Sequence, residues 1–256
     1  MFKLLGSEKA NVMKKPILAI LYDFDSTLAI MDMQNFAFIP ALGLTPSEFW
    51  GLTAEFTKKT GCEKTLAYLY VMMDECRKRG IKMTPDYLKE MGKGIKFFKG
   101  VEGWFDRINA YGEENGIEVE HYLVSSGNKE IVEGCSIRKY FKMVYGCEFI
   151  FDEETNVPVW PKLSIDYTQK TQYFYRVAKG VLDTGDDNIN VKTPVKRVPP
   201  QNIVYIGDGL TDIPSMITAK EKGGNAIAVY KDGEQEKVMP LWRDGRVNYV
   251  CPTDYS

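Results

Sequence analysis

The sequence predicts an α/β fold with a Rossmann-like parallel sheet as its core and an α-helical cap domain inserted into that core. Short apolar runs that suit buried strands alternate with segments whose apolar residues recur at helical spacing. This alternation is typical of a parallel sheet that is covered on both faces. One long interval lacks strand patterns and contains only helical ones. With 256 residues, the chain is long enough for a domain that carries such an insert.

The elements of the core are predicted in chain order. Strands are predicted at residues 17–22, 119–124, 142–145, 203–206 and 226–229. Helices are predicted at residues 101–111 and 171–181, where apolar side chains share one face. We expect a β-hairpin within residues 149–161 and a polar surface loop over residues 183–200.

The interval from about residue 29 to residue 96 is predicted to be helical. One helix should begin at Pro46, because Thr45 is a suitable N-cap and Glu48 follows it by three residues, as in a capping box. Further helices are predicted at residues 63–79 and 85–91. The predicted domains are therefore a core of residues 1–28 and 97–256 and a cap of residues 29–96, with residues 1–15 as a surface extension.

The composition argues against several classes of function. The net charge is −2 and the basic residues are scattered, so we expect neither a nucleic acid nor a membrane as partner. The apolar run that ends at Tyr22 is far shorter than the roughly 20 residues of a membrane-spanning helix. Five cysteines without C-x-x-C spacing favour a reducing cytoplasm over a disulfide framework or a zinc site. The single histidine, His121, lies in a predicted strand and is expected to be structural.

Two carboxylates, Asp23 and Asp25, directly follow the first predicted strand. In an extended backbone their side chains would point the same way. One carboxylate could bind Mg²⁺ and attack a phosphorus atom, while the other protonates the leaving oxygen and then activates water. The alternative is a helix N-cap next to a solvated acid.

Three further clusters follow later elements of the predicted core. Ser125 ends the second strand and could bind a phosphate oxygen, or could simply cap a helix. Lys170, at the start of a helix, could neutralise an aspartate and a phosphoryl group, although most lysines are solvated surface charges. Asp208 and Asp212 follow the fourth strand in the segment GDGLTD. Since ligands bind at the carboxyl ends of parallel strands, these acids would gather there and would require a cation such as Mg²⁺.

Together these segments resemble the motifs of the haloacid dehalogenase superfamily of phosphohydrolases. DFDST resembles the first motif, Ser125 the second, Lys170 the third and GDGLTD the fourth, with Lys162 as an alternative to Lys170. The resemblance covers the chain from about residue 17 onward. It implies an α/β core with a mobile cap that closes over the site.

The resemblance also implies a role for each motif residue. Asp23 would be the nucleophile that forms an aspartyl-phosphate, and Asp25 the general acid and base. Ser125 and Lys170 would hold the phosphoryl group. The implied ligands of Mg²⁺ are Asp23, Asp25 through its backbone carbonyl, Asp208 and Asp212, the last of which would ligate the metal or orient its ligands.

The predicted function is Mg²⁺-dependent hydrolysis of a small phosphorylated metabolite. Asp25 favours phosphate esters over carbon–halogen bonds, because only an oxygen leaving group needs an acid. The motifs look most like those of phosphoserine phosphatases, in which a glutamate of the early cap tends to bind substrate. This chain has Asp32 there, which is therefore a candidate for substrate selection. The alternatives are a phosphotransferase or mutase with a hydroxyl acceptor, and a non-catalytic phosphate-binding module, which would not need Asp25.

Overall fold

A computed structural model describes residues 15–256, so most of the predicted surface extension lies outside the described residues. One sheet contains all seven strands of the described chain, in the order β4-β3-β2-β1-β5-β6-β7. The strands are β1 (Ile17–Tyr22), β2 (Glu118–Asn128), β3 (Phe141–Phe151), β4 (Pro158–Leu163), β5 (Ile203–Gly207), β6 (Asn225–Tyr230) and β7 (Tyr249–Pro252). Every neighbouring pair is parallel except β3 and β4, which form the predicted hairpin. The predicted α/β fold class with a mostly parallel sheet is confirmed.

Nine α-helices accompany the sheet in the described residues. Five of them lie between β1 and β2, and the last of the five leads into β2. They are α1 (Phe38–Ala41), α2 (Pro46–Thr60), α3 (Lys64–Lys78), α4 (Pro85–Gly92) and α5 (Val101–Glu114). The others are α6 (Lys129–Val132), α7 (Tyr167–Lys179), α8 (Ile213–Glu221) and α9 (Met239–Arg243). None of the described helices is long and apolar enough to span a bilayer.

The first strand lies at the centre of the sheet, between β2 and β5. Its apolar run is continuous because both faces are covered, and residues 19–22 are buried. Tyr22 is in register with Leu123 of β2 and with Ile206 of β5. The residues that follow these three positions therefore emerge side by side at one edge of the sheet, where the predicted motifs lie.

The helical interval between β1 and α5 is present as predicted. The capping box at the start of α2 is confirmed: the Glu48 N–H donates to Thr45 Oγ1 at 3.3 Å and the Thr45 N–H donates to Glu48 Oε2 at 2.7 Å. Helices α2 and α3 pack against each other. The division of the chain into domains at residues 28 and 96 stays a prediction, as does the cytoplasmic location.

The structure departs from the sequence prediction in the length and number of elements. Strand β2 continues through Ser125 to Asn128 with an irregular register, and the predicted strand at residues 142–145 is the beginning of the longer β3. Strand β7 and helices α1, α8 and α9 were not predicted. With only four residues, β7 carries too short a pattern to be recognised from its sequence.

His121 is buried in β2, away from the motif residues. Trp104 Nε1–H donates to the Tyr22 hydroxyl at 2.9 Å, and that hydroxyl lies 3.0 Å from His121 Nδ1. On the other side of the ring, Nε2 lies 3.0 Å from Asn109 Oδ1. These contacts assign the neutral Nε2–H tautomer, in which Nδ1 accepts from Tyr22 and Nε2 donates to Asn109. Burial lowers the pKa of His121 to about 4, which suits the predicted structural role.

Candidate active site

Asp23 and Asp25 lie at the carboxyl end of the central strand. The Asp23 N–H still donates to Ile206 of β5, at 2.8 Å, so the sheet fixes its backbone. The chain then reverses at Ser26, whose φ of 58° is in the left-handed region. Because of this turn, the Thr27 hydroxyl lies 3.4 Å from both Asp23 Oδ2 and Asp208 Oδ1. The turn therefore connects the first motif with the fourth.

Lys170 is the cation at the centre of the site. It lies in the first turn of α7, with 1% of its surface exposed. Its Nζ donates to Asp23 Oδ1 at 2.7 Å and to Asp212 Oδ1 at 2.8 Å. Lys162 lies on the edge strand β4, where its side chain is 58% exposed and pairs with Glu148. The structure therefore brings Lys170, not Lys162, to the predicted site.

Three carboxylates form a compact cluster. One oxygen each of Asp23, Asp208 and Asp212 lies within 4.8 Å of the other two. Both oxygens of Asp212 already accept hydrogen bonds within the protein, since Oδ1 accepts from Lys170 and from the Tyr205 hydroxyl at 2.8 Å, and Oδ2 from the Gly209 N–H at 3.2 Å. Asp208 accepts only from the Thr27 hydroxyl within the described residues, and Asp23 Oδ2 has only the same long 3.4 Å contact, so these oxygens are the freer ones.

The cluster carries more negative charge than the protein neutralises. Burial and the charge of Asp212 raise the pKa of Asp23 to about 6, although Lys170 opposes the shift. Burial and the charges of Asp23 and Asp212 raise the pKa of Asp208 to about 8. Buried carboxylates that repel one another in this way are stabilised by a cation, and carboxylate oxygens are the ligands that Mg²⁺ prefers. The donor set therefore fits the predicted divalent metal.

Asp25 lies beside this cluster but is not part of it. Its Oδ1 accepts from the Met33 N–H at 2.8 Å. A Cβ atom at Gly127 would lie 3.1 Å from its Oδ2, so the irregular end of β2 approaches the second oxygen. Burial, and then the charges of Asp32 and Asp23, raise the pKa of Asp25 well above its ordinary value. The predicted metal bond of its backbone carbonyl stays a prediction.

Ser125 lies in the irregular end of β2, next to β1 in the sheet, and is buried. Its Oγ accepts from the Gly127 N–H at 2.9 Å. Within the described residues no hydrogen bond joins it to Asp23 or to Lys170. A Cβ atom at Gly127 would lie 2.1 Å from Met33 Cε, so a larger residue there would require the end of the Met33 side chain to move. We call this irregular end of β2, residues 125–128, the Ser125 loop, and it lies close to the acids.

A cavity of about 620 Å³ lies between the strand ends and the helical interval. Asp25 and Gly127 line it on the core side, and Asp32 lines it from the segment after β1. Lys58 and Tyr68 also line the cavity, whereas Tyr70 stacks on Phe56 outside it.

Sequence reasoning missed several residues around the site. Gln34 and Trp50 also line the cavity, and Tyr205 holds Asp212. Near the end of the chain, the buried Tyr255 donates its hydroxyl to the Thr27 carbonyl at 3.0 Å. No sequence pattern marked Gln34 or Tyr255. Trp50 and Tyr205 could be recognised only as members of an amphipathic helix and of a buried strand.

Comparisons with other sequences give one distant relative and no family. No family model matches the sequence. An uncharacterised protein of Borreliella burgdorferi is 26% identical over 274 residues, which cover 95% of this chain and 93% of that protein.

Comparisons with solved structures identify the fold. A HAD family hydrolase from Salmonella enterica serovar Typhi matches with a TM-score of 0.58 at 15% identity, over 91% of this chain and 66% of that one, slightly less than two thirds of its length. A phosphoserine phosphatase, solved as an analogue of its phospho-aspartyl intermediate, matches with a TM-score of 0.54 at 17% identity, over 94% and 95% of the two chains. A phosphoserine phosphohydrolase-like protein from Francisella tularensis matches with a TM-score of 0.55 at 19% identity, over 91% and 94%. The chain therefore has the fold shared by HAD family hydrolases and phosphoserine phosphatases.

Proposed function

We propose that this protein is a divalent-metal-dependent phosphatase that hydrolyses a small phosphorylated metabolite through an aspartyl-phosphate on Asp23. The observation that carries the proposal is the buried ion pair of Lys170 with Asp23 and Asp212, next to Asp208. Burial of three acids and one lysine beside the carboxyl end of β1 costs free energy. These residues are suited to a site where a divalent cation and a phosphoryl group balance the charges.

The proposed reaction has two displacement steps at phosphorus. In the first, a carboxylate oxygen of Asp23 attacks phosphorus while the bond to the leaving oxygen breaks, and Asp25 gives that oxygen its proton. In the second, water attacks the phosphorus of the aspartyl-phosphate and passes a proton to Asp25. The bond between phosphorus and Asp23 then breaks, which releases inorganic phosphate and restores both acids.

The charges of the phosphoryl group require counter-charges during these steps. Lys170 lies within hydrogen-bond distance of Asp23 and can hold a phosphoryl oxygen there. Ser125 and the N–H groups of its loop are proposed to hold a second oxygen. Asp23 and Asp208 would hold the Mg²⁺ ion, with Asp212 orienting the cluster, and the bound ion would neutralise the phosphoryl charge.

The helical interval is proposed to act as a cap. Tyr68 of α3 donates its hydroxyl to the Ser126 carbonyl, within the Ser125 loop, at 2.8 Å. This contact closes one side of the cavity above Asp25. A cap in this position would exclude bulk water during the first step and would contact the leaving group.

Two alternative functions use the same fold. A phosphotransferase or mutase would pass the phosphoryl group to a hydroxyl instead of water, so its turnover would rise when an alcohol acceptor is added. A non-catalytic phosphate-binding module would have no use for Asp25. The position of Asp25 beside both Asp23 and the cavity favours a catalytic role.

The test is hydrolysis of p-nitrophenyl phosphate with Mg²⁺, followed by phosphate release. Asp23→Asn keeps the shape of the side chain but removes the nucleophile, so turnover should fall by at least about a thousandfold. Asp187→Asn, a change at an exposed position, is the matched control. Removal of the metal with a chelator should abolish turnover, and Mg²⁺ should restore it. Unchanged turnover in Asp23→Asn, or turnover without any divalent metal, would refute the proposal.

A further inference from the structure

The wall of the cavity contains an amide side chain that has no hydrogen-bond partner within the described residues. Gln34 is 2% exposed and lines the cavity. Within the described residues its side chain makes no hydrogen bond. The residue as a whole is buried, but its amide oxygen and nitrogen are not enclosed by protein and keep some accessible surface. The donors and the acceptor of Gln34 are therefore available to a ligand in the cavity.

Two buried hydroxyls around the same cavity are also unpaired. Thr57 Oγ1 on α2 and Ser126 Oγ in the Ser125 loop have no hydrogen-bond partner within the described part of the chain, and both residues line the cavity. A hydroxyl can donate and accept, as can an amide side chain as a whole. The three unpaired groups thus come from three separate segments of the chain. Each of them is matched best by a ligand group that can both donate and accept a hydrogen bond.

Trp50 adds a rigid apolar surface to this wall. Its Nε1–H donates to Asn35 Oδ1 at 3.0 Å, and its ring meets the Tyr68 ring edge to face at a centroid distance of 6.0 Å. Fixed in this way, the ring can contact C–H groups of a ligand without much loss of side-chain entropy. The cavity therefore offers apolar contact and neutral hydrogen bonding side by side.

Resting on the phosphatase activity proposed above, we propose that the cavity binds a polyhydroxylated leaving group, so that the substrate is the phosphate monoester of a sugar or polyol. Such a compound presents hydroxyls, which suit Gln34 and Thr57, together with C–H groups, which suit Trp50. A volume of about 620 Å³ is within the range of pockets that hold whole small molecules. This volume leaves room for a leaving group larger than serine.

The charged residues of the cavity wall have no charged partner in the body of a sugar or polyol. The two lysines of the cavity, Lys58 and Lys64, are both exposed and make no salt bridge within the described residues. A leaving group with a carboxylate would use them, and an ammonium group could pair with Asp32. Phosphoserine has both groups and is therefore the competing substrate in the test.

The experiment compares kcat/KM for a hexose 6-phosphate, glycerol 3-phosphate, phosphoserine and p-nitrophenyl phosphate. At least one sugar or polyol phosphate should exceed phosphoserine about tenfold or more. Gln34→Leu and, as a second variant, Thr57→Val should each lower the ratio of kcat/KM for that substrate to kcat/KM for p-nitrophenyl phosphate. For Gln34→Leu we expect at least about a tenfold loss, because a lost hydrogen bond penalises only the substrate that makes it. Gln201→Leu, at an exposed position, is the control.

A preference for phosphoserine, or an unchanged ratio in both variants, would overturn the inference. A binding measurement distinguishes a failure of the inference about the cavity from a failure of the proposed phosphatase function. Calorimetric titration of the preferred sugar or polyol phosphate into the Asp23→Asn variant should show binding that Gln34→Leu weakens. If the wild-type protein hydrolyses nothing but this Gln34-dependent binding is present, the proposed function fails and the inference about the cavity stands. If no sugar or polyol phosphate binds, the inference about the cavity fails.

Discussion

Replacement of Lys170 by methionine tests the charge balance of the site directly. The lysine is 1% exposed, and its Nζ lies 2.7 Å from Asp23 Oδ1 and 2.8 Å from Asp212 Oδ1. Methionine keeps most of the buried volume but removes the positive charge. The variant then holds Asp23, Asp208 and Asp212 together without a protein cation among them.

The expected loss follows from the energetics of buried ion pairs. Removal of one partner of a buried pair costs about 3–5 kcal/mol of the free energy of unfolding. Protonation of the remaining carboxylates limits this cost. In the wild-type protein the pKa of Asp23 is already raised to about 6 and that of Asp208 to about 8, and without Lys170 we expect both to rise further. A carboxyl group whose pKa is higher in the folded state than in the unfolded state destabilises the fold as the pH rises through the interval between the two values. The loss should therefore be larger near pH 8 than near pH 5.

The assay is urea denaturation at these two pH values with a chelator present, because a bound metal would compensate for the missing charge. Lys162→Met is the matched control. That side chain is 58% exposed and pairs with Glu148, so its removal should cost no more than about 1 kcal/mol at either pH. The reasoning is wrong if Lys170→Met is no more destabilised than Lys162→Met, or if its loss is the same at both pH values.

Two further predictions concern the glycine before Asp208 and the buried histidine. A Cβ atom at Gly207 would lie 2.5 Å from Asp212 Oδ2, so Gly207→Ala should displace that carboxylate, lower phosphatase turnover and cost about 1–3 kcal/mol. Gly209→Ala, whose Cβ would have no neighbour within 4 Å, should do neither, and equal turnover in the two variants would contradict the prediction. Because burial lowers the pKa of His121 to about 4, from about 6.5 in the unfolded chain, stability should fall by about 3 kcal/mol as the pH drops through that interval. His121→Gln should remove this part of the pH dependence in denaturant titrations, and a wild-type dependence that persists in the variant would disprove it.

The positions of the catalytic candidates could be predicted because they are set by where the buried strands end. Asp23, Ser125 and Asp208 each follow an apolar run, and the register of β1 with β2 and β5 brings the ends of these runs together. Lys170 was harder to distinguish from Lys162, since neither follows a strand pattern. The start of α7 at Tyr167 decides between them, because it puts Lys170 in the first helical turn, within reach of Asp23.

The residues around the leaving-group cavity could not be predicted in the same way. Gln34 and Trp50 lie in the helical interval, where the direction of each side chain depends on how the helices pack against the core. The bond from Tyr205 to Asp212 requires the segment after β5 to turn back toward its own strand. Such contacts join residues through tertiary structure, and no periodicity in the sequence encodes them.

The structure separates the groups proposed for the reaction from those proposed for selection. Asp23 and the Ser125 loop project from strand ends whose spacing is fixed by the hydrogen bonds of the sheet. The wall of the cavity comes largely from the helical interval, which meets the core beside the site through the bond from Tyr68 to Ser126. Side chains of that wall can therefore change without moving the acids. It follows that the acids predict phosphoryl transfer but carry no information about the leaving group, and that the unpaired amide of Gln34 is the better guide to the substrate.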